Sequence, residues 1–228
     1  MKSMAAAGGP AAKRPKKEPE KLRIASICSS NMNRSMEGHK VLTAAGFNVS
    51  SYGTGTQVKL PGPSKDKPNV YDFGTPYSEI LADLKSQDEQ LYIRNRMVDL
   101  LERNVGIKTA PERWQDELIA KFDIVITFEE RVYDAVVDEF QVRQDAVDNP
   151  LDGPPVHCIN IETKDTPEES EKNVKKALML CQRVRDILPL LERARPPARR
   201  SPQPHANTRV GTLIADTALL GPAAGERG

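Results

Sequence analysis

Leu22-Arg23-Ile24-Ala25-Ser26-Ile27-Cys28-Ser29-Ser30-Asn31-Met32-Asn33-Arg34-Ser35 is the stretch on which the reading of the chain turns. Leu22 to Ile27 is apolar enough for a buried strand, and the residues after Ser35 are amphipathic in the manner of a helix. Between them stand a cysteine, five residues and an arginine, bent from strand to helix. Such a loop aims its backbone N–H groups inward and makes a cradle for an oxyanion. The helix behind it adds roughly half a unit of positive charge. Arg34 can hold two anion oxygens with its planar fork. Cys28 lies at the floor, where a cradle of donors favours the anionic, attacking form of sulfur.

The bare spacing is weak evidence and needs its context. Cys158 and Cys181 fail the same test, with Lys164 and Ile187 six places on. The competing reading of Cys28 is a structural cysteine ending a central strand, since free cysteine is among the most buried residue types.

Working outward, Gly38, Val41, Leu42 and Ala45 fall at helical spacing after Ser35, which stands in the N-cap region. Gly46 is a C-terminal stop. Residues 47–52 are β-rich, and Gly53-Thr54-Gly55 ends them, which completes a parallel crossover unit. Residues 57–76 hold too many prolines for a helix or a central strand, so they form a long loop or a short edge hairpin. Leaving the second strand, this segment should border the Cys28 loop as a lid or peptide-binding wall.

Residues 77–103 are helical through Ile80, Leu84, Leu91, Val98 and Leu101, with a break near Gln87-Asp88. Trp114, Leu118 and Ile119 suggest a short helix on the core. Residues 122–128 are the clearest buried strand, and 129–141 a helix with Val132, Val136 and Phe140 on one face. A turn over 148–155 leads to a fourth strand at 156–161. Thr166-Pro167-Glu168-Glu169 opens a last helix. Its inner face is Val174, Ala177, Leu178, Cys181, Val184 and Leu188, and Pro189 should end or kink it. The fold is α/β: a four-stranded parallel sheet with helices on both faces. Its ligand site lies beyond the C-terminal strand ends, which puts Cys28, Gly53 to Gly55, Phe128 to Glu130 and Glu162 to Asp165 on one rim.

The 228 residues suit one core with tails: 1–20 a disordered basic tail, 21–193 the domain, 194–228 a mostly disordered tail. Lys13-Arg14-Pro15-Lys16-Lys17 is a candidate nuclear localisation signal. No apolar run reaches the roughly 18 residues that a membrane span needs. The three cysteines argue against a disulfide framework, and the three scattered histidines give no metal spacing, so no metal or other cofactor is expected. Net charge is +1, but residues 1–21 carry six Lys/Arg against two Glu, and 194–228 five Arg against one Asp and one Glu. That leaves 22–193 at −6, which excludes a general nucleic-acid binder.

Attack of Cys28 on a phosphomonoester needs an acid to protonate the leaving oxygen. Asp165 and Glu162 both follow the last strand; Asp165, just before a helix, is modestly preferred. Glu129 and Glu130 are a further pair, assigned instead to a helix N-terminus. In this scheme Arg34 and the amides of Ser29, Ser30, Asn31, Met32 and Asn33 hold the phosphate. Ser35 hydrogen-bonds the sulfur and Asn31 holds the loop's shape.

With these residues in view, the chain resembles the low-molecular-weight protein tyrosine phosphatases. It is most similar to their serine-specific branch, which acts on the RNA polymerase II carboxy-terminal domain in the cleavage and polyadenylation machinery. Cys28-Ser29-Ser30-Asn31-Met32-Asn33-Arg34-Ser35-Met36-Glu37, Gly53-Thr54-Gly55-Thr56-Gln57-Val58-Lys59-Leu60-Pro61-Gly62-Pro63, Asp66-Lys67-Pro68-Asn69-Val70-Tyr71-Asp72-Phe73 and Glu129-Glu130-Arg131-Val132-Tyr133-Asp134 carry the resemblance, over roughly 22–190. It implies a nuclear, cysteine-dependent phosphatase for the fifth-position phosphoserine of the heptad repeat, with a cis proline following. Cis is a minority form of flexible X-Pro bonds, ~10–30%, so a prolyl isomerase would feed the reaction. The resemblance assigns the acid to Asp165 and a peptide groove to Lys59, Leu60, Pro61 and Gly62, with Tyr92 and Leu100 as its helical wall. Leu100 departs from the residue expected there. A symplekin-type scaffold is the implied partner.

Three rivals stand beside this. An arsenate reductase on the same fold would need nearby resolving cysteines, and Cys158 and Cys181 lie in a strand and on a helix face. A generic phosphotyrosine phosphatase would need aromatics lining a deep pocket. A non-catalytic scaffold subunit of the processing complex would not require Cys28, Arg34 and Asp165 together.

Overall fold

The structure, a computed structural model, describes residues 22–64, 66–117, 122–145 and 156–194. Four parallel strands form the main sheet: β1 (Arg23–Cys28), β2 (Asn48–Gly53), β5 (Ile124–Thr127) and β6 (His157–Asn160), in the order β2-β1-β5-β6. Helices α1 (Arg34–Ala44), α4 (Glu130–Asp145) and α5 (Pro167–Ala194) flank them. Alternation along the strands builds two cores. Ile24, Ile126 and Ile159 face Leu42 of α1 and Val174, Ala177 and Cys181 of α5. Ala25, Ile27, Val125 and Cys158 face Val132, Val136 and Phe140 of α4, with Trp114. Helices thus cover both faces, as the sequence predicts.

The proline-rich stretch forms a hairpin, β3 (Val58–Ser64) and β4 (Lys67–Tyr71), antiparallel and in a sheet of its own rather than on the edge of the main one. Each strand has a single partner, so Pro61, Pro63 and Pro68 need not donate to a second neighbour. Val58 and Leu60 anchor it to a third core with Ile80 and Leu84 of α2 (Tyr77–Arg94) and Val98 and Leu101 of α3 (Met97–Val105). The helical stretch breaks at Asp88 (φ −163°, ψ 88°), where the sequence predicts it. Asp88 Oδ1 accepts from Leu91 N at 2.9 Å and restarts the helix.

Five expectations are corrected. The helical stretch breaks a second time at Asn95-Arg96, where Arg96 is left-handed (φ 63°). Ser35 is not an N-cap: α1 starts at Arg34, and its cap Asn33 makes no side-chain cap bond. Helix α5 does not end at Pro189 but continues to Ala194, because a proline removes only one donor from a long ladder. Leu188 is 37% exposed instead of facing the core. At ~1.5 Å per residue α5 outruns strands of ~3.3 Å per residue that are six residues or shorter. The predicted short helix is a single 3₁₀ turn at Trp114–Asp116; Leu118, Ile119, the 148–155 turn, the basic cluster and both tails lie outside the described residues. No helix among the described residues is long and apolar enough to cross a membrane.

Two contacts seat α1 on the sheet and generate predictions. A Cβ on Gly38 would come 2.3 Å from Ser26 Oγ, which donates to Ser35 O at 2.9 Å. Gly38→Ala should therefore destabilise the fold by about 1–3 kcal/mol in urea melts. His39 Nδ1 lies 2.9 Å from Ser51 Oγ, tying α1 to β2. Burial, then the charge of Lys108, lowers its imidazole to about 4, with Glu112 opposing. The unfolded chain thus binds the proton first as pH falls below about 6.5. The His39 contribution should be flat above that value and decline between about 6.5 and about 4. Urea midpoints of His39→Gln should show a shallower decline across the same window.

Candidate active site

Strand β1 delivers Cys28 to the rim, and the chain turns at once into α1, so residues 29–33 must reverse within one loop. Asn31 makes the turn possible with φ 55°, a left-handed value that asparagine tolerates better than most residues. The carbonyls of this loop need donors. Thr54 N reaches Cys28 O at 3.0 Å and Gly55 N reaches Ser29 O at 2.9 Å. Tyr77 OH donates to Asn31 O at 2.7 Å. Met32 O accepts from Arg103 Nη2 at 2.8 Å and Asn104 Nδ2 at 2.9 Å. Gly53 permits this approach, since a Cβ there would sit 2.7 Å from Ser29 O.

Inside the loop, Cys28 Sγ is 3.0 Å from Ser35 Oγ. Asn31 Nδ2 donates to the same Ser35 oxygen at 3.0 Å, which leaves the serine proton for sulfur. Asn31 Oδ1 accepts from Glu112 N at 3.1 Å. Burial, and then the charge of Cys28, push the Tyr77 hydroxyl well above its usual range, so it remains a donor. Arg34 is buried, with Nη1 on Thr163 O (3.0 Å) and Nη2 on Glu129 Oε2 (2.8 Å) and Asp165 Oδ2 (3.4 Å). Its Nε is buried without a partner, a donor available to an anion in the loop.

Asp165 stands across from the cysteine, with Oδ1 held by Asn33 Nδ2 at 3.0 Å. Together they line a pocket of about 140 Å³ with Ser30, Met32, Lys59, Leu60, Pro61 and Leu100. Of the expected groove residues, Lys59, Leu60, Pro61 and Leu100 reach this pocket. Tyr92 and Gly62 do not. Tyr92 is fully buried, its hydroxyl accepting from Asn69 Nδ2 at 2.8 Å, and Asn69 also donates to Pro61 O at 3.1 Å. Gly62 lies against Lys67 across the hairpin. Glu162 is engaged elsewhere, accepting from Glu130 N at 3.1 Å at the head of α4. Glu129 is the carboxylate partner of Arg34 and Glu130 the first residue of α4. The sequence reading missed Asn95, Met97 and Pro167 in the lining, and Arg103 and Asn104 behind the loop.

The arrangement can hold a phosphoryl group over a sulfur nucleophile with a carboxyl group opposite. Cys158 and Cys181 are pushed by burial up to about 12 and lie within the two cores. No cluster of His, Cys, Asp and Glu suited to a metal occurs among the described residues.

Comparison with known proteins gives this geometry a family. The profile described as Ssu72-like protein matches residues 22–195. The RNA polymerase II C-terminal domain phosphatase SSU72 of Dictyostelium discoideum is 47% identical over 167 residues, 73% of this chain and 77% of its own. The Schizosaccharomyces pombe protein of that name is 46% identical over 171 residues, 75% of this chain and 84% of its own. The structure of the serine phosphatase of RNA polymerase II CTD from Drosophila melanogaster superposes with a TM-score of 0.68 at 43% identity, over 76% of this chain and 92% of that one. D. melanogaster Ssu72 with symplekin, bound to a cis peptidomimetic of the CTD phosphorylated on its fifth-position serine, gives 0.65 at 41% identity, over 77% and 94%. With its strand, cradle and opposing acid all inside the matched span, the chain belongs to the Ssu72-like family.

Proposed function

We propose that this chain is a cysteine-dependent protein-serine phosphatase that removes phosphate from the RNA polymerase II C-terminal repeat, at the fifth-position serine. The observation that carries the reading is that Cys28 and Asp165 line one pocket with the hairpin, with the Arg34 guanidinium 3.4 Å from the Asp165 carboxylate. The relatives are named as phosphatases of that domain, and the D. melanogaster complex holds a peptide phosphorylated at the fifth-position serine.

The chemistry follows from the positions. The Cys28 sulfur attacks phosphorus, and the serine oxygen leaves with the proton of Asp165, giving a phosphocysteine. The loop amides and Arg34 stabilise the equatorial oxygens as charge shifts. A water then attacks phosphorus and gives its proton to the Asp165 carboxylate, and the Ser35 hydroxyl stabilises the departing thiolate. The pocket lining favours this over a phosphotyrosine substrate: among the described residues, none that lines it is aromatic.

The bound peptide lies along Lys59, Leu60 and Pro61, with its cis proline against Leu100. A prolyl isomerase supplies that isomer, a symplekin-type scaffold holds the enzyme, and both belong to nuclear mRNA 3′-end processing and transcription termination. The net −6 of residues 22–193 disfavours direct nucleic-acid contact.

Phosphate release from heptad peptides tests the reading. The peptide phosphorylated at the fifth residue should be hydrolysed, the second-position peptide should not, and Cys28→Ser should abolish release. Asp165→Asn should lower kcat by about 10²–10⁴-fold on the serine ester. Release from neither peptide, with Cys28 inert to alkylation at neutral pH, would overturn the assignment.

A further inference from the structure

Two walls of the pocket come from segments distant in the chain. One is the corner between α2 and α3, where Asn95 and Met97 line the cavity. The other is the Asp165 loop with Pro167, which opens α5. Arg96 lies between Asn95 and Met97 and holds φ 63°, a conformation that long side chains seldom adopt. Its guanidinium crosses to the other wall: Nη1 donates to Glu168 Oε1 at 2.9 Å and Nη2 to Glu171 Oε1 at 3.3 Å. Its Nε stands 3.9 Å from Asp99 Oδ2 on its own side. Among the described residues no other hydrogen bond or ion pair joins these two walls directly.

Glu168 is three residues beyond Asp165, with Thr166 and Pro167 between them. Pro167 fixes its own φ, and Thr166 Oγ1 accepts from Glu169 N at 3.3 Å at the head of α5. Restraint at Glu168 therefore passes along a stiff segment to the acid. The Asp165 side chain itself is 61% exposed, and among the described residues Asn33 and Arg34 are what steadies it. A backbone strained at one wall, spent on an ion pair with the other, is a device to look for next to a catalytic group.

Resting on the phosphatase reading above, we propose that Arg96 is a positioning residue, a latch that ties the α2–α3 corner to the Asp165 loop and so holds the general acid over the leaving oxygen. A carboxyl group out of place matters most when the leaving group is a poor one. An alkoxide needs the proton, whereas a nitrophenolate largely does not. The latch is exposed, so added salt should weaken it.

Arg96→Gly is the informative variant, since glycine adopts φ 63° freely and the fold should be kept or improved. Steady-state kinetics are compared on a heptad phosphoserine peptide and on p-nitrophenyl phosphate. The variant should lose about tenfold or more in kcat on the peptide and less than about twofold on the aryl ester. Raising ionic strength from about 0.05 to about 0.5 M should lower the wild-type peptide rate towards that of the variant, which should itself respond little. Exchanging the charges, with Arg96→Glu combined with Glu168→Arg, should recover part of the peptide rate. An active wild type with an unchanged peptide-to-aryl ratio in Arg96→Gly would overturn the latch alone. A wild type inactive on both substrates would overturn the phosphatase reading and the latch with it.

Discussion

The carbonyls of the loop after Cys28 need donors, and the elements around it are arranged to supply them. Donors arrive from three directions: the backbone after β2 for Cys28 and Ser29, the Tyr77 hydroxyl at the start of α2 for Asn31, and the Arg103–Asn104 pair at the end of α3 for Met32. A buried carbonyl without a partner costs about 1–3 kcal/mol, so losing any of these would favour a different loop. The α2–α3 unit with its hairpin is thus part of the cradle, although it lies outside the parallel sheet. Arg103 serves twice, since its other nitrogen pairs with Glu37 at 2.9 Å and so fixes the first turn of α1 to the same helix.

Electrostatics explain why such a cradle survives in an acidic body. Arg34 is buried, yet its charge is met by Glu129 and Asp165, and its remaining polar contact is the carbonyl of Thr163. A buried guanidinium is tolerable only when paired and hydrogen-bonded. The pairing leaves Arg34 Nε without a partner among the described residues, a donor for the phosphate proposed above.

Much of this was legible because it is periodic or contiguous. The strand–loop–helix at Cys28 to Arg34, the alternating strands and the stripe Val132, Val136, Phe140 each repeat at a fixed spacing that burial enforces. The break at Asp88 was legible through its neighbour-binding side chain. Arg103 and Asn104 were not, because a side chain donating to a loop carbonyl some seventy positions away leaves no local pattern. Arg96 was hidden for the opposite reason: a left-handed turn usually advertises itself with glycine or asparagine, and here the asparagine stands one residue early. Tyr92, which the resemblance assigned to the groove, lies outside the pocket lining, buried with its hydroxyl bonded to Asn69 of the hairpin, a placement no sequence pattern displays.

The parallel sheet also has a consequence for how the enzyme is made. Strands β1 and β2 are synthesised before β5 and β6, and with them Cys28, the proposed nucleophile. Asp165, the proposed acid, follows β6, which lies at the end of the sheet next to β5. Asn33 and Asp165, in contact at 3.0 Å, are 132 positions apart in the chain. A nascent chain therefore carries Cys28 well before Asp165 is made. On the proposed mechanism the site is complete only after the last crossover closes.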